Sequence, residues 1–141
     1  MEFNKDGTLD PGIHKMTWEE FYAFFSFSER RIELLKGLEK VVAILREIGA
    51  THIYIDGSFV TNKLDPKDWD ACYDCPLSQL DKLARIYPFH SKEEQKRLYK
   101  GELYFAGHSP FFINRDVSYL DFFQKRKENP ALKKGIVELI D

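Results

Sequence analysis

Two carboxylates one residue apart, Asp68 and Asp70, are the side chains of this sequence best spaced for chemistry. They lie in Asp68-Trp69-Asp70-Ala71-Cys72-Tyr73, which reads as a strand, and residues two apart in a strand share a face. Both carboxylates therefore aim to one side, with Trp69 and Ala71 on the other. Like charges crowded on one face cost stability and raise a carboxyl pKa unless a cation compensates. A divalent ion removes that cost, and Mg²⁺ takes one or two carboxylates together with substrate phosphates. Eleven residues before Asp68 stands Gly57, followed by Ser58. Gly57 has no side chain, so a phosphate can approach its backbone. Ser58 offers a hydroxyl where a following helix can begin, with free N–H groups suited to an anion.

The elements that must position these groups are legible from periodicity and caps. Ile53-Tyr54-Ile55 predicts a strand that Gly57-Ser58 ends. Residues 1–16, with Gly7, Pro11 and Gly12, read as loop. Thr17 with Glu20 has the capping-box form and predicts a helix through Trp18, Phe21, Tyr22, Phe24 and Phe25. Those aromatics fit core packing at helical spacing, with a base-stacking surface as the functional alternative. Ser28 caps a second helix whose apolar stripe is Ile32, Leu35, Leu38, Val41, Val42, Leu45 and Ile48, stopped by Gly49. Arg30, Arg31, Lys36, Lys40 and Arg46 fall mostly off that stripe and read as a solvated face.

Past the Asp-x-Asp strand, Ser78 is placed to cap a helix through Leu80, Leu83, Ala84 and Ile86. The polar stretch Ser91–Tyr99 predicts either a surface helix with i,i+4 ion pairs or a flap that binds an acceptor. Gly101 leads into a strand, Glu102 to Ala106. His108-Ser109-Pro110 reads as a turn, 117–127 as an amphipathic helix broken by Asn129-Pro130, and 136–140 as a last strand or docked tail. Lys125, Arg126, Lys127, Lys133 and Lys134 form the densest basic group, either solvated or contacting a polyanion.

Strand, Gly57-Ser58, short helix, then Asp68-x-Asp70 on the next strand resembles the signature of the nucleotidyltransferase superfamily, the fold of DNA polymerase beta. More narrowly, Tyr54-Ile55-Asp56-Gly57-Ser58-Phe59-Val60-Thr61-Asn62-Lys63 with Pro66-x-Asp68-x-Asp70 resembles a bacterial and phage family of minimal nucleotidyltransferase-like proteins. Gly7 to His14 and Thr17 to Phe21 are similar to that family's opening. The resemblance covers residues 3–75 well and the C-terminal half loosely. It implies an α+β domain over residues 1–141, a small mixed β-sheet with helices packed mainly on one face. It implies Mg²⁺ (or Mn²⁺) on Asp68 and Asp70. Its third carboxylate comes from the strand after the hairpin, where Glu102 stands in place of the usual Asp, with Asp116 as fallback; Glu102 is otherwise a surface residue at a strand start. Gly57 and Ser58 would position a nucleoside triphosphate, with Thr61 and Lys63 as secondary phosphate contacts. The implied reaction moves a nucleoside monophosphate to an acceptor hydroxyl on a protein, an RNA 3′ end or a small molecule. A toxin–antitoxin or phage-defence pairing is implied as context, and a partner protein or a homo-oligomer would complete the site.

Minimal superfamily members carry Gly-Ser-x-Ala-Arg-Gly, whereas this chain has Gly57-Ser58-Phe59-Val60-Thr61-Asn62. That departure keeps a second reading open, a nucleotide-binding or antitoxin-like partner without turnover. A third is an oligomerisation module whose two acids protect a strand edge. Composition narrows the field further. A chain of 141 residues is one domain by size. A net charge of −2 argues against a nonspecific DNA coat. Two cysteines, Cys72 and Cys75, are too few for a structural zinc site and read as reduced thiols, or as a Cys-x-x-Cys redox pair. No apolar run is long enough to span a membrane, and the first residues lack the form of a signal peptide, so a cytoplasmic protein is expected.

Overall fold

The computed structural model describes residues 2–106 and 134–141. Asp116, His108-Ser109-Pro110, the helix expected over 117–127 with its Asn129-Pro130 break, and Lys125, Arg126, Lys127 and Lys133 lie outside the described residues. In chain order the elements are β1 (Gly12–Met16), α1 (Trp18–Phe25), α2 (Glu29–Glu47), β2 (His52–Asp56), one 3-10 turn (Gly57–Val60), β3 (Trp69–Asp74), α3 (Leu77–Ala84), α4 (Lys92–Tyr99), β4 (Gly101–Phe105) and β5 (Gly135–Leu139). The five strands form one mixed sheet in the order β1-β5-β2-β3-β4. β2 runs antiparallel to both β3 and β5, while β1 is parallel to β5 and β4 parallel to β3.

Two of the three helix caps, Thr17 and Ser28, are where the sequence placed them. Thr17 accepts from the Glu20 N–H, and the Glu20 side chain returns to the Thr17 N–H. Ser28 caps α2 and Ser91 caps α4 through their side chains. Ser78 does not cap α3, which starts one residue earlier, after Pro76; a proline's fixed φ suits a helix entry without a side-chain acceptor. The aromatics of α1 are core: Phe21 and Phe25 are buried and pack against each other and against Phe59.

One face of the sheet carries the main core. Ile53, Ile55, Trp69, Ala71, Tyr73, Leu103, Val137 and Leu139 point to it, and Leu34, Leu35, Leu38, Val41 and Leu45 of α2 cover them. Period-two alternation places Tyr54, Asp56, Asp70, Cys72, Glu102 and Tyr104 on the opposite face. Trp69 is the largest buried side chain, and its Nε1 donates to the Tyr99 carbonyl at 2.8 Å. Gly101 is required beside it, since a Cβ there would come within 2.1 Å of the indole. This contact sets β4, and with it Glu102, against β3. α4 covers the outer edge of β4: Gln95 accepts from the Leu103 N–H and Lys92 donates to the Leu103 carbonyl, so that edge is not left open.

Two expectations are corrected. Residues 12–16 are strand rather than loop, because the pairing partner of β1 is β5, more than a hundred residues away, and no local pattern announces it. Of the two alternatives for the C-terminal segment, the strand is the one formed, internal to the sheet and flanked by β1 and β2. Arg31, read as solvated, has no exposed surface. Its guanidinium donates to the carbonyls of Phe59 and Thr61 at 2.7 Å each and of Lys63 at 2.8 and 3.0 Å. It also lies over the rings of Phe27 and Phe59. Arg46 likewise reaches inward, donating to the Leu139 carbonyl. Among the described residues no helix is long and apolar enough to cross a membrane.

Arg31→Lys keeps the charge and loses the planar fork that serves several carbonyls at once. It should lower the unfolding free energy by about 2–4 kcal/mol, the scale for losing charge-assisted bonds to buried carbonyls. Urea unfolding measures this. A loss under about 0.5 kcal/mol, normal for a surface position, would mean the carbonyls find other donors.

Candidate functional site

The acids gather where β2, β3 and β4 come level. In the ladder Asp56 is opposite Asp70, and Asp70 is opposite Glu102. Three carboxylates therefore form one rank across three adjacent strands, on the face away from the main core. Side chains directly opposed on one face have Cβ atoms about 4.5–5.5 Å apart, and like charges there repel. Gly57 follows directly, at φ +71°, a conformation that favours glycine. A Cβ at Gly57 would lie 2.6 Å from Asp70 Oδ2, so the missing side chain is what lets the Asp70 carboxylate rest against this turn.

Asp68 lies just before β3, half-buried, and meets an ammonium. Lys96 of α4 is 3.1 Å from Asp68 Oδ2 and 3.8 Å from Glu102 Oε1. The Asp68 hydrogen bond and charge, then Glu102 and Asp70, raise the Lys96 pKa, so it stays charged. Glu102 also accepts from the Tyr104 hydroxyl. Lys92, one turn before Lys96, lies over the Tyr104 ring at 4.0 Å. Burial lowers the Lys92 pKa, against the field of Glu102. The structure thus brings together Asp68, Asp70 and Glu102, the three acids the sequence singled out, around a lysine the sequence did not.

Asp56 is the acid that sequence reading missed. It is 0% exposed; neither carboxylate oxygen meets a donor in full hydrogen-bonding geometry among the described residues, and what answers it is a weak hydrogen bond from the Cys72 thiol and the field of Lys134. Burial, then the Asp70 charge, push its pKa well up, while Lys134 and the Cys72 thiol act in the opposite direction. Burial also pushes the Cys72 thiol up, with the Asp56 charge adding to it. Cys72 and Cys75 are both free and buried, and both are held protonated by burial. That is the reverse of the lowered pKa a redox thiol needs.

The Gly-Ser segment is a single 3-10 turn, the short helix or turn expected between the two strands. Thr61 donates its hydroxyl to the Ser58 carbonyl at 2.6 Å and accepts from the Lys63 N–H. Thr61 and Lys63 thus shape the loop that Arg31 holds, and the Lys63 side chain is exposed. Among the described residues no three His, Cys, Asp or Glu are grouped closely enough to hold a metal by themselves. A groove of about 670 Å³ lies between the start of α2 and residues 64–67, lined by Ser28, Arg30, Leu64, Pro66 and Lys67 among others; none of the four acids lines it. Asp56 and Lys96 left weak traces in the sequence. Asp56 continues the alternation of Ile53 and Ile55, but its partner depends on the register across a twelve-residue connection. Lys96 is one of several charges on a polar helix.

A mixed α/β domain with a rank of acids at one end of its sheet, beside a Gly-Ser turn, is the class this geometry defines. The chain belongs to a family of unknown function, DUF6932, which matches residues 1–140. No curated protein and no solved structure matches it.

Two substitutions probe the electrostatics. Asp56 binds its proton more tightly folded than unfolded, where 3.8 is its ordinary value. Stability from this group therefore falls as pH rises from about 4 through the folded pKa. Asp56→Asn should melt above wild type at about pH 8, with the gap closing toward about pH 4. Parallel melting curves across that range would show that the carboxylate is paid no penalty by burial. Lys96→Met should cost under about 1 kcal/mol at low salt and less at high salt, because the pair is half-exposed; urea melts at two ionic strengths read it.

Proposed function

We propose that this chain is a nucleotidyltransferase-like domain acting on a nucleoside triphosphate. The observation that carries the proposal is the convergence of Asp70, Asp68 and Glu102 beside the backbone of Gly57. Acids from two strands meet a side-chain-free turn, the placement that the resemblance to the polymerase beta superfamily implies. The donor set is all oxygen, which suits Mg²⁺ or Mn²⁺. A divalent ion bound there would neutralise triphosphate charge and lower the pKa of an attacking hydroxyl. The chain's own groups have separate tasks. Gly57 leaves room for phosphate oxygens, Ser58 offers a hydroxyl to them, and Arg31 fixes the loop from which both project. Asp70, with Asp68 and Glu102 on either side, supplies negative charge that orients the ion. The reaction is attack of an acceptor hydroxyl on the α-phosphate, forming one phosphoester bond and breaking the bond to the departing pyrophosphate. Its acceleration comes mainly from positioning and charge stabilisation. The acceptor is a hydroxyl of a protein, an RNA end or a small molecule.

One observation favours a second reading, a nucleotide-binding or antitoxin-like partner without turnover. Lys96 already answers the charges of Asp68 and Glu102, as a residue would in a site that has no further need of a metal.

Calorimetric titration with ATP, GTP, CTP and UTP, with and without Mg²⁺, tests the proposal. Mg²⁺-dependent binding of at least one nucleotide is expected, with loss in the Asp68→Asn/Asp70→Asn double variant. Transfer of label from an α-labelled nucleotide then separates enzyme from binder. If no nucleotide binds and the double variant is as stable as wild type, the nucleotidyltransferase reading fails.

A further inference from the structure

We propose that Arg30 is the positioning residue for Asp68: its guanidinium clamps the two carbonyls that lead into that acid. The inference rests on the proposed function for the part Asp68 plays in seating a cation; the clamp itself is a feature of the fold.

Unlike Asp56, Asp70 and Glu102, Asp68 stands outside the strand ladder, whose first rung between β3 and β4 is Trp69 with Gly101. Residues 62–68 form neither helix nor strand, and Asn62, Lys63, Leu64, Asp65 and Lys67 are exposed. Backbone of this kind drifts unless a group outside it holds it. After Asp68 the sheet does so, where the Trp69 N–H donates to the Lys100 carbonyl at 3.3 Å. Before Asp68 the holder is Arg30. Its Nε donates to the Pro66 carbonyl at 3.3 Å, and its Nη2 donates to the Lys67 carbonyl.

The bond to Lys67 reaches the acid directly. The Lys67 carbonyl and the Asp68 N–H belong to one planar peptide group, so a donor fixed on that oxygen also fixes the Asp68 Cα. The carboxylate's direction is then left to its own side-chain torsions, and Lys96 selects among them by its contact with Asp68 Oδ2 at 3.1 Å. Arg30 is held in turn, with Nη1 3.2 Å from Glu33 Oε1, one turn further along α2. The two arginines divide the connection between β2 and β3. Arg31 serves the carbonyls of Phe59, Thr61 and Lys63, and Arg30 those of Pro66 and Lys67. A planar fork can meet two neighbouring carbonyls and a carboxylate at once, whereas an ammonium is a point charge. Arg30 also lines the groove beside residues 64–67, so the rival role for it is direct contact with a bound phosphate.

The test is calorimetric binding of the Mg²⁺ complexes of ATP, GTP, CTP and UTP to the full chain. Wild type, Arg30→Ala, Arg30→Lys, Asp68→Asn and the Arg30→Ala/Asp68→Asn double variant are compared, each checked for folding by circular dichroism. Arg30→Ala should weaken binding of the accepted nucleotide about tenfold, the scale for a group that orients a metal's ligand. Arg30→Lys should weaken it as much, because the charge stays and the fork is lost. In the Asp68→Asn background Arg30→Ala should cost nothing further, since residues that act through one group are not additive. A second measurement needs no nucleotide. Lys96→Met should move the Asp68 carboxyl carbon resonance of wild type and leave that of Arg30→Ala where it was, because Asp68 no longer stands against Lys96.

If the losses from Arg30→Ala and Asp68→Asn multiply in the double variant, the inference is overturned and Arg30 acts independently of Asp68. Recovery of binding by Arg30→Lys overturns it in favour of direct phosphate contact. An Asp68 resonance that still follows Lys96 in Arg30→Ala overturns it as well. If wild type binds none of the nucleotides, the proposed function falls, and the carboxyl resonance alone decides the clamp.

Discussion

The guanidinium of Arg31 joins the helical layer to the loop that carries Gly57 and Ser58. It leaves α2 near its start, passes between the rings of Phe27 and Phe59, and donates to carbonyls at Phe59, Thr61 and Lys63. A loop that turns its carbonyls inward must find donors for them, and water is excluded here. One planar group with five N–H donors meets that need where several separate side chains would crowd the core. Burial brings the Arg31 pKa down to about 10, against the field of Asp65, so the group remains charged at neutral pH. Its charge is balanced mainly by carbonyl dipoles rather than by an adjacent carboxylate. The consequence reaches the acids: with residues 59–63 fixed, Gly57 cannot drift from Asp70, and the turn and the carboxylate keep one geometry.

The sheet separates two tasks by face. Its inner face is continuous hydrocarbon under α1 and α2, and supplies stability. Its other face carries a smaller cluster, Tyr54, Cys72, Ala106 and Ile136, beside the rank of acids. Placing Asp56, Asp70 and Glu102 opposite one another opposes folding, since direct like-charge pairs in a ladder destabilise it. Only an otherwise sound core can tolerate that cost. Strain of this kind, local and electrostatic, is more often found at a functional site than in a purely structural module. An oligomerisation module with edge-protecting acids would place them on an outer strand, whereas Asp70 is on β3 and Asp68 directly before it, and β3 lies inside the sheet between β2 and β4.

How much of this was legible depended on distance along the chain. Thr17, Ser28 and Ser91 act within three residues of themselves, and the helices they start were readable. The β2–β3 hairpin was readable as two strands, and Trp69 with Ala71 correctly marked the inward side of β3. Register was not readable, because a twelve-residue connection fixes none, and so the pairing of Asp56 with Asp70 was invisible. β1 failed for the same reason: its hydrogen bonds are to β5, at the other end of the described chain. Arg31 failed differently. Helical periodicity sorts side chains by polarity, and a guanidinium whose partners are backbone carbonyls looks like any surface arginine. Lys96 falls between the two cases, a polar residue on a polar helix whose significance comes from Glu102 arriving on the neighbouring strand.

Lys96 and a divalent ion are rival answers to one electrostatic problem, and magnitude decides how they coexist. The ammonium is half-exposed, so its pairing with Asp68 and Glu102 is worth little and is readily exchanged for water. A doubly charged ion in the same field interacts about twice as strongly with each carboxylate, and interactions grow as water is excluded by a bound ligand. On the proposed function, a triphosphate arriving with a metal would have more to gain from the acids than Lys96 would have to lose. The ammonium can also turn toward the incoming phosphates without leaving α4, because the stem is flexible and the head carries three donors. In that exchange the lysine, which relieves the repulsion at an acidic sheet end, would add positive charge to the phosphate side.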